Sequence, residues 1–157
     1  MTGESSKRLT INAPFFREIK DDHESLHKLL SELEHLVGNR ETLPHHGRHF
    51  ADLIEQLVDQ LALHFSLEEA YGYFEHAVED APRLHDQAVK LRSQHGELYL
   101  TAQRISEATD KATTTKPHRL DQAADQFVAF HSHFKKHESA ELNLIVEALN
   151  RDMGGGD

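Results

Sequence analysis

The chain has 157 residues and a net charge of −10, which suits one domain with a single core and opposes binding to nucleic acid or to an anionic membrane face. The absence of Cys excludes a disulfide scaffold, a thiolate zinc site, an iron–sulfur cluster and a Cys nucleophile. No apolar run is long enough to span a bilayer, and Met1 to Ile11 lack the apolar stretch of a signal peptide, so a cytoplasmic protein is expected.

Gly and Pro divide the chain into four long segments, with breaks at Gly38 to Pro44, at Asp80-Ala81-Pro82 and at Thr113 to Pro117. The expected bounds are a flexible tail over 1–12, a bundle over 13–151 and a flexible tail over 152–157. Each segment carries apolar residues at alternating three and four spacing, the pattern of one helix face. The first reads Ile19, His23, Leu26, Leu30, Leu33, Val37. The second reads Phe50, Ile54, Leu57, Leu61, His64, Glu68, Tyr71. The third reads Leu84, Ala88, Leu91, His95, Leu98, Ala102, Ile105. The fourth reads Phe127, Phe130, Phe134, His137, Glu141, Leu144, Ala148. No alternating strand pattern appears. Four helices of roughly 25 to 35 residues with short connections predict an all-α, up-down-up-down four-helix bundle.

Fourteen His beside three Tyr and no Trp are a surplus of the commonest metal-ligand side chain. Every stripe is interrupted by a His, and two of them by a Glu one turn later. His64 and Glu68 are four apart, as are His137 and Glu141, so each pair projects from one helix face toward the core. A lone His on an apolar stripe is ordinarily a hydrogen-bonded core residue, and a lone HxxxE is equally uninformative. Four seams interrupted together are different, because scatter would distribute His around each helix. An internal repeat strengthens the pattern: His23 and His64 are 41 residues apart, His95 and His137 are 42 apart, and His23-Glu24-Ser25-Leu26 echoes His95-Gly96-Glu97-Leu98. Buried carboxylates need a cation or hydrogen-bond partners. Two HxxxE pairs and two single His form a natural dinuclear donor set, with two His for each metal and both Glu bridging. Nitrogen and oxygen donors suit iron, with manganese or zinc also compatible by donor type.

The order H…HxxxE…H…HxxxE resembles the hemerythrin-like, or HHE cation-binding, family. Asp22-His23-Glu24-Ser25-Leu26-His27, His64-Phe65-Ser66-Leu67-Glu68-Glu69 with Gly72-Tyr73, and His137-Glu138 with Glu141 carry the likeness, which extends over roughly residues 15 to 150. The resemblance implies a four-helix bundle holding a non-haem di-iron centre, with His23, His64, Glu68, His95, His137 and Glu141 as metal ligands and dioxygen or a similar small molecule as partner. Oxygen carriers of the family have a second His one turn from the first on the third helix and end on HxxxxD. Here the flanking positions are Leu91 and Tyr99, and the fourth helix offers HxxxE. The pattern is therefore that of the six-ligand bacterial and iron-sensing relatives.

Three residues stand beside this set as supporting or alternative ligands. Tyr99 lies one turn past His95, where its hydroxyl could face an open coordination position. His27 lies one turn past His23. His133 makes HxxxHxxxE with His137 and Glu141, and could itself be the ligand with Glu138 as its carboxylate, a reading that leaves Glu141 unexplained. Asp22 and Glu69 are expected to accept the outer N–H of a ligand His. The leading function is binding or sensing of dioxygen, with a separate protein partner if it signals. The alternatives are an enzyme acting on peroxide or nitric oxide, and an interaction bundle with the metal as a staple. A ferritin-like carboxylate oxidase is excluded, because the two Glu-x-x-His strings, Glu24 to His27 and Glu32 to His35, fall on one helix.

Overall fold

The computed structural model describes residues 2–70 and 82–155, with side chains from Arg17 onward apart from a few positions. Helix α1 spans Thr2–Val37, α2 Gly47–Ala70, α3 Pro82–Thr114 and α4 Leu120–Gly155, with single 3-10 turns at Leu43–His46 and Pro117–Arg119. Each helix packs on its neighbours in the chain, and α1 closes the ring on α4 through the sparsest of the four interfaces. No strand occurs among the described residues. The expected bundle is therefore present. Tyr71, Gly72 and Tyr73 lie outside the described residues.

The helix limits differ from those expected at both chain ends. Helix α1 starts at Thr2 and α4 runs to Gly155, so both continue beyond the 13–151 bounds expected for the bundle. Once a helix is nucleated, each added residue gains a backbone hydrogen bond, so polar residues extend it without needing an apolar stripe. Stripe reading cannot see such turns.

The break after α1 is built from hydrogen bonds. Gly38 N–H donates to the Glu34 carbonyl at 3.0 Å and closes the last turn. Arg40 Nε donates to the Val37 carbonyl at 2.7 Å, satisfying one of the orphan acceptors of a helix C-terminus. The same guanidinium then crosses to α4, donating to the Asp121 carbonyl at 3.2 Å and to Asp125 Oδ1 at 2.8 Å. Gly47, where α2 begins, is buried so close to α3 and α4 that a Cβ there would stand 3.1 Å from Leu120 Cδ1 and 3.3 Å from Thr113 Cγ2.

The stripes face inward almost as read. Phe50, Ile54, Leu57, Leu61 and His64 on α2 are buried, as are all seven stripe positions on α3 and all seven on α4. The core is not continuous, however. One apolar cluster gathers Leu26, Leu33, Leu57, Phe127, Phe130 and Phe134, and a smaller one gathers Leu84, Ala88, Leu91, Leu144 and Ala148. On α3 and α4 the residues between the two clusters are His95, His137 and Glu141. The ionisable layer thus divides the core.

Arg40 both ends α1 and ties it to α4 where few other contacts do so. Arg40→Ala should destabilise the protein by about 1–2 kcal/mol, since a charge-assisted bond is lost from a half-exposed site. Urea unfolding with an unchanged m value would show it.

Candidate metal centre

The layer that divides the core is assembled from one HxxxE pair on α2, one on α4, and a His on α3. In each HxxxE pair the i,i+4 spacing brings imidazole and carboxylate to the same face, with His64 Nε2 2.8 Å from Glu68 Oε1 and His137 Nε2 2.7 Å from Glu141 Oε1. His95 from α3 places its Nε2 3.2 Å from Glu68 Oε2. Ligand atoms of Glu68, His95, His137 and Glu141 all lie within 4.8 Å of one another. His64, His95, His137 and Glu141 are each less than 8 % exposed.

Despite these short separations, Nε2 of His64, His95 and His137 and Oε2 of Glu68 have no hydrogen-bond partner. The atoms are close without being aligned on one another. Buried polar atoms are otherwise almost always paired. An orphaned set converging on one small volume is what donors to a shared cation look like, and two carboxylates with three imidazole nitrogens fit a first-row divalent metal.

The outward faces of the same rings are fully engaged. His64 Nδ1 meets Asp22 Oδ2 at 2.7 Å, His95 Nδ1 meets Glu69 Oε1 at 3.4 Å, and His137 Nδ1 meets Gln94 Oε1 at 2.8 Å. The three acceptors place the N–H on Nδ1 and turn Nε2 inward, the arrangement that orients imidazole ligands. Each acceptor comes from the preceding helix: Asp22 on α1 serves α2, Glu69 on α2 serves α3, and Gln94 on α3 serves α4. Gln60 Nε2 donates to the other oxygen of Asp22 at 2.6 Å and fixes it. Aromatic rings cover the layer. Phe65 stacks on His95 at 4.1 Å, and Phe134 meets His64 edge-on at 6.0 Å.

Protons are held unevenly in this layer. Burial opposes a charge on His64, but the Asp22 and Glu68 carboxylates outweigh it and push the imidazole up to about 10. Burial raises Glu141, and the adjacent Glu68 carboxylate raises it further, so Glu141 holds the proton of the pair. Burial also raises Glu68, yet the adjacent His64, His95 and Glu141 prevail and keep it ionised. Burial and the neighbouring His95 push His137 down to about 4, leaving it neutral.

Five of the six expected ligands therefore come together, and His23 stands apart from them. His23 is exposed, and Asp22 takes the inward place on α1. Positions 22 and 23 are four and three residues before the buried Leu26, roughly 40° and 60° to either side of its direction, so both satisfy the stripe. Asp22 is drawn inward by His64 and Gln60. His23 lies instead beside His27, with ring centroids 4.2 Å apart, across a cavity from His64, Glu68 and Glu141. His27 donates to Glu138 Oε2 at 3.2 Å. His133 is exposed and does not join the cluster, and Glu138, its expected carboxylate, is engaged by His27. The Tyr99 ring packs on the flank of the main core and its hydroxyl accepts from Gln103 at 3.5 Å, because Leu98 occupies the inward position on that turn. Of the outer acceptors, Asp22 and Glu69 were expected. Gln94 was missed, though its place directly before His95 was a usable signal.

Two outcomes follow from the donor geometry. Cation uptake must displace the protons held by His64 and Glu141, so affinity should rise with pH across the neutral range. Calorimetry in buffers of different ionisation enthalpy should read net proton release. Asp22→Ala frees the His64 ring and should weaken metal binding by about 10- to 100-fold while the helical content stays the same.

A family model described as hemerythrin HHE cation binding domain matches residues 15–149, nearly the whole bundle. No curated protein and no solved structure matches the chain. No helix among the described residues is long and apolar enough to cross a membrane. With its His and Glu cluster buried between the two halves of a helical core, the chain belongs to the hemerythrin HHE cation-binding family.

Proposed function

We propose that this protein holds a non-haem di-iron centre in its bundle core and uses it to bind or sense dioxygen or a related small molecule. The observation that carries the reading is the pairing of outward-bonded Nδ1 atoms with three inward, unpartnered Nε2 atoms around two carboxylates. His64, Glu68, His95, His137 and Glu141 would hold the metal, the two Glu supplying its carboxylate donors. His23, which lines the same cavity, is the sixth group of the set. Manganese or zinc is compatible with the same donors. Bound iron supplies redox and Lewis-acid chemistry.

The remaining residues set what can reach the donors. A cavity of about 600 Å³ at the sparse α1–α4 seam leads to His64, Glu68 and Glu141. The aromatic cover of Phe65 and Phe134 keeps bulk water off the imidazoles. A small neutral molecule suits such a site better than a large or charged one. In this reading the setting is cytoplasmic, and a separate partner protein would receive the signal.

Elemental analysis after native iron loading should give at least two irons per chain. One metal or none would remove the dinuclear reading. Reduced, loaded protein should develop a new visible absorption band on exposure to dioxygen. Turnover of peroxide or nitric oxide would favour an enzyme, and indifference to dioxygen and peroxide would make the metal a staple. Because the donors are costly to bury without a cation, loading should also raise the melting temperature, and Glu68→Ala should abolish that rise.

A further inference from the structure

A second group of donors lies outside the buried cluster. His23 and His27 are one turn apart on α1, and Glu138 reaches them from α4. Their ligand atoms lie within 4.8 Å of one another. His27 Nε2 and Glu138 Oε2 are 3.2 Å apart, and the His23 ring is tilted 47° against the His27 ring at 4.2 Å. Two imidazoles at i,i+4 and one carboxylate form a two-His, one-carboxylate set, a donor combination suited to first-row divalent cations, with coordination positions left for solvent. An ordinary surface ion pair would need only His27 and Glu138 and would contribute little. The third donor, His23, distinguishes the cluster from such a pair.

Position gives the group its role. All three residues line the cavity whose inner wall carries His64, Glu68 and Glu141. His23 and His27 are exposed, with the His27 side chain 51 % accessible, and Glu138 is partly buried beside them, so water positions on the outer side of the group can exchange. The buried donors are covered by aromatic rings and lie behind it. Lys135 and the protonated His64 also line the cavity and oppose a cation there, and the carboxylates of Asp22, Glu68 and Glu138 outnumber them. A cation entering by this cavity therefore meets His23, His27 and Glu138 first.

We propose that His23, His27 and Glu138 form an outer divalent-cation site at the mouth of the α1–α4 cavity, which takes up metal and passes it to the buried donors. The passing step rests on the metal-centre reading above, whereas the outer site itself does not. His23 faces the cavity shared by both groups and is the residue common to the two steps.

Cobalt(II) titration of the full chain tests the proposal, read by calorimetry and by paramagnetic broadening of the His27 ring resonances. Wild type should bind one equivalent more than either His27→Ala or Glu138→Gln, and both variants should fill the buried site about tenfold more slowly. His27→Ala is at the surface and Glu138→Gln keeps the size of a partly buried side chain, so both leave the core intact. Glu68→Ala combined with Glu141→Ala removes the buried donors, and there the outer equivalent and the His27 broadening should persist. If wild type and His27→Ala give superimposable titrations and loading rates while the buried site fills, the outer site is refuted and the metal centre stands. If wild type binds one cobalt only, and His27→Ala removes it, the outer site stands and the buried metal centre is refuted.

Discussion

Placing imidazoles and carboxylates in the middle of an apolar bundle is the constraint on which the rest of this structure depends. Each such group loses its water on burial and must recover the energy from a partner. On their outer sides the three imidazoles recover it through Asp22, Glu69 and Gln94, and on their inner sides they do not. The imbalance is specific to one side of each ring. It separates a metal site from a satisfied polar network, in which both nitrogens would be engaged.

The outer bonds also link the helices to one another. Glu69 and Gln94 each sit next in sequence to an inward position, about 100° around their own helix, and so point at the following helix, whereas Asp22 itself occupies the inward position of its turn. Asp22, Glu69 and Gln94 thereby couple α1 to α2, α2 to α3 and α3 to α4 through the rings they hold. Glu138 completes the circuit from α4 to α1 through His27, although that contact is exposed. Rotation of any one helix would disturb a ring on the next, so the packing of the bundle and the aim of the donors are a single property.

The circuit is weakest between α1 and α4. That interface is the sparsest of the four, is tied at one end by Arg40 and at mid-length by His27, and contains a cavity that reaches His64, Glu68 and Glu141. A site that must exchange ions or small molecules with solvent needs one face less tightly closed than the others. The apolar clusters on either side of the layer can hold the bundle together without that seam being filled.

Local helix geometry made much of this legible in the sequence. The three-and-four stripes identified four helices and most of the buried positions on α3 and α4, while on α2 Ala51, Leu53 and Phe65 are buried beside the stripe. The HxxxE spacing brought His64 to Glu68 and His137 to Glu141, because residues four apart share a face in any α-helix. The matched separation of the two hairpins pointed to His95 joining them at one level. What periodicity could not supply was the rotation of each helix about its own axis. Asp22 and His23 fit the α1 stripe equally well, and only the pull of His64 and Gln60 on the Asp22 carboxylate turned α1 so that Asp22 faces inward and His23 faces the cavity. The same holds for Tyr99, displaced to the flank by Leu98, and for Gln94, whose value as an acceptor exists only because His137 on another helix stands opposite it. Spacing along one helix is a property of the chain. The direction in which that helix faces is settled by its neighbours.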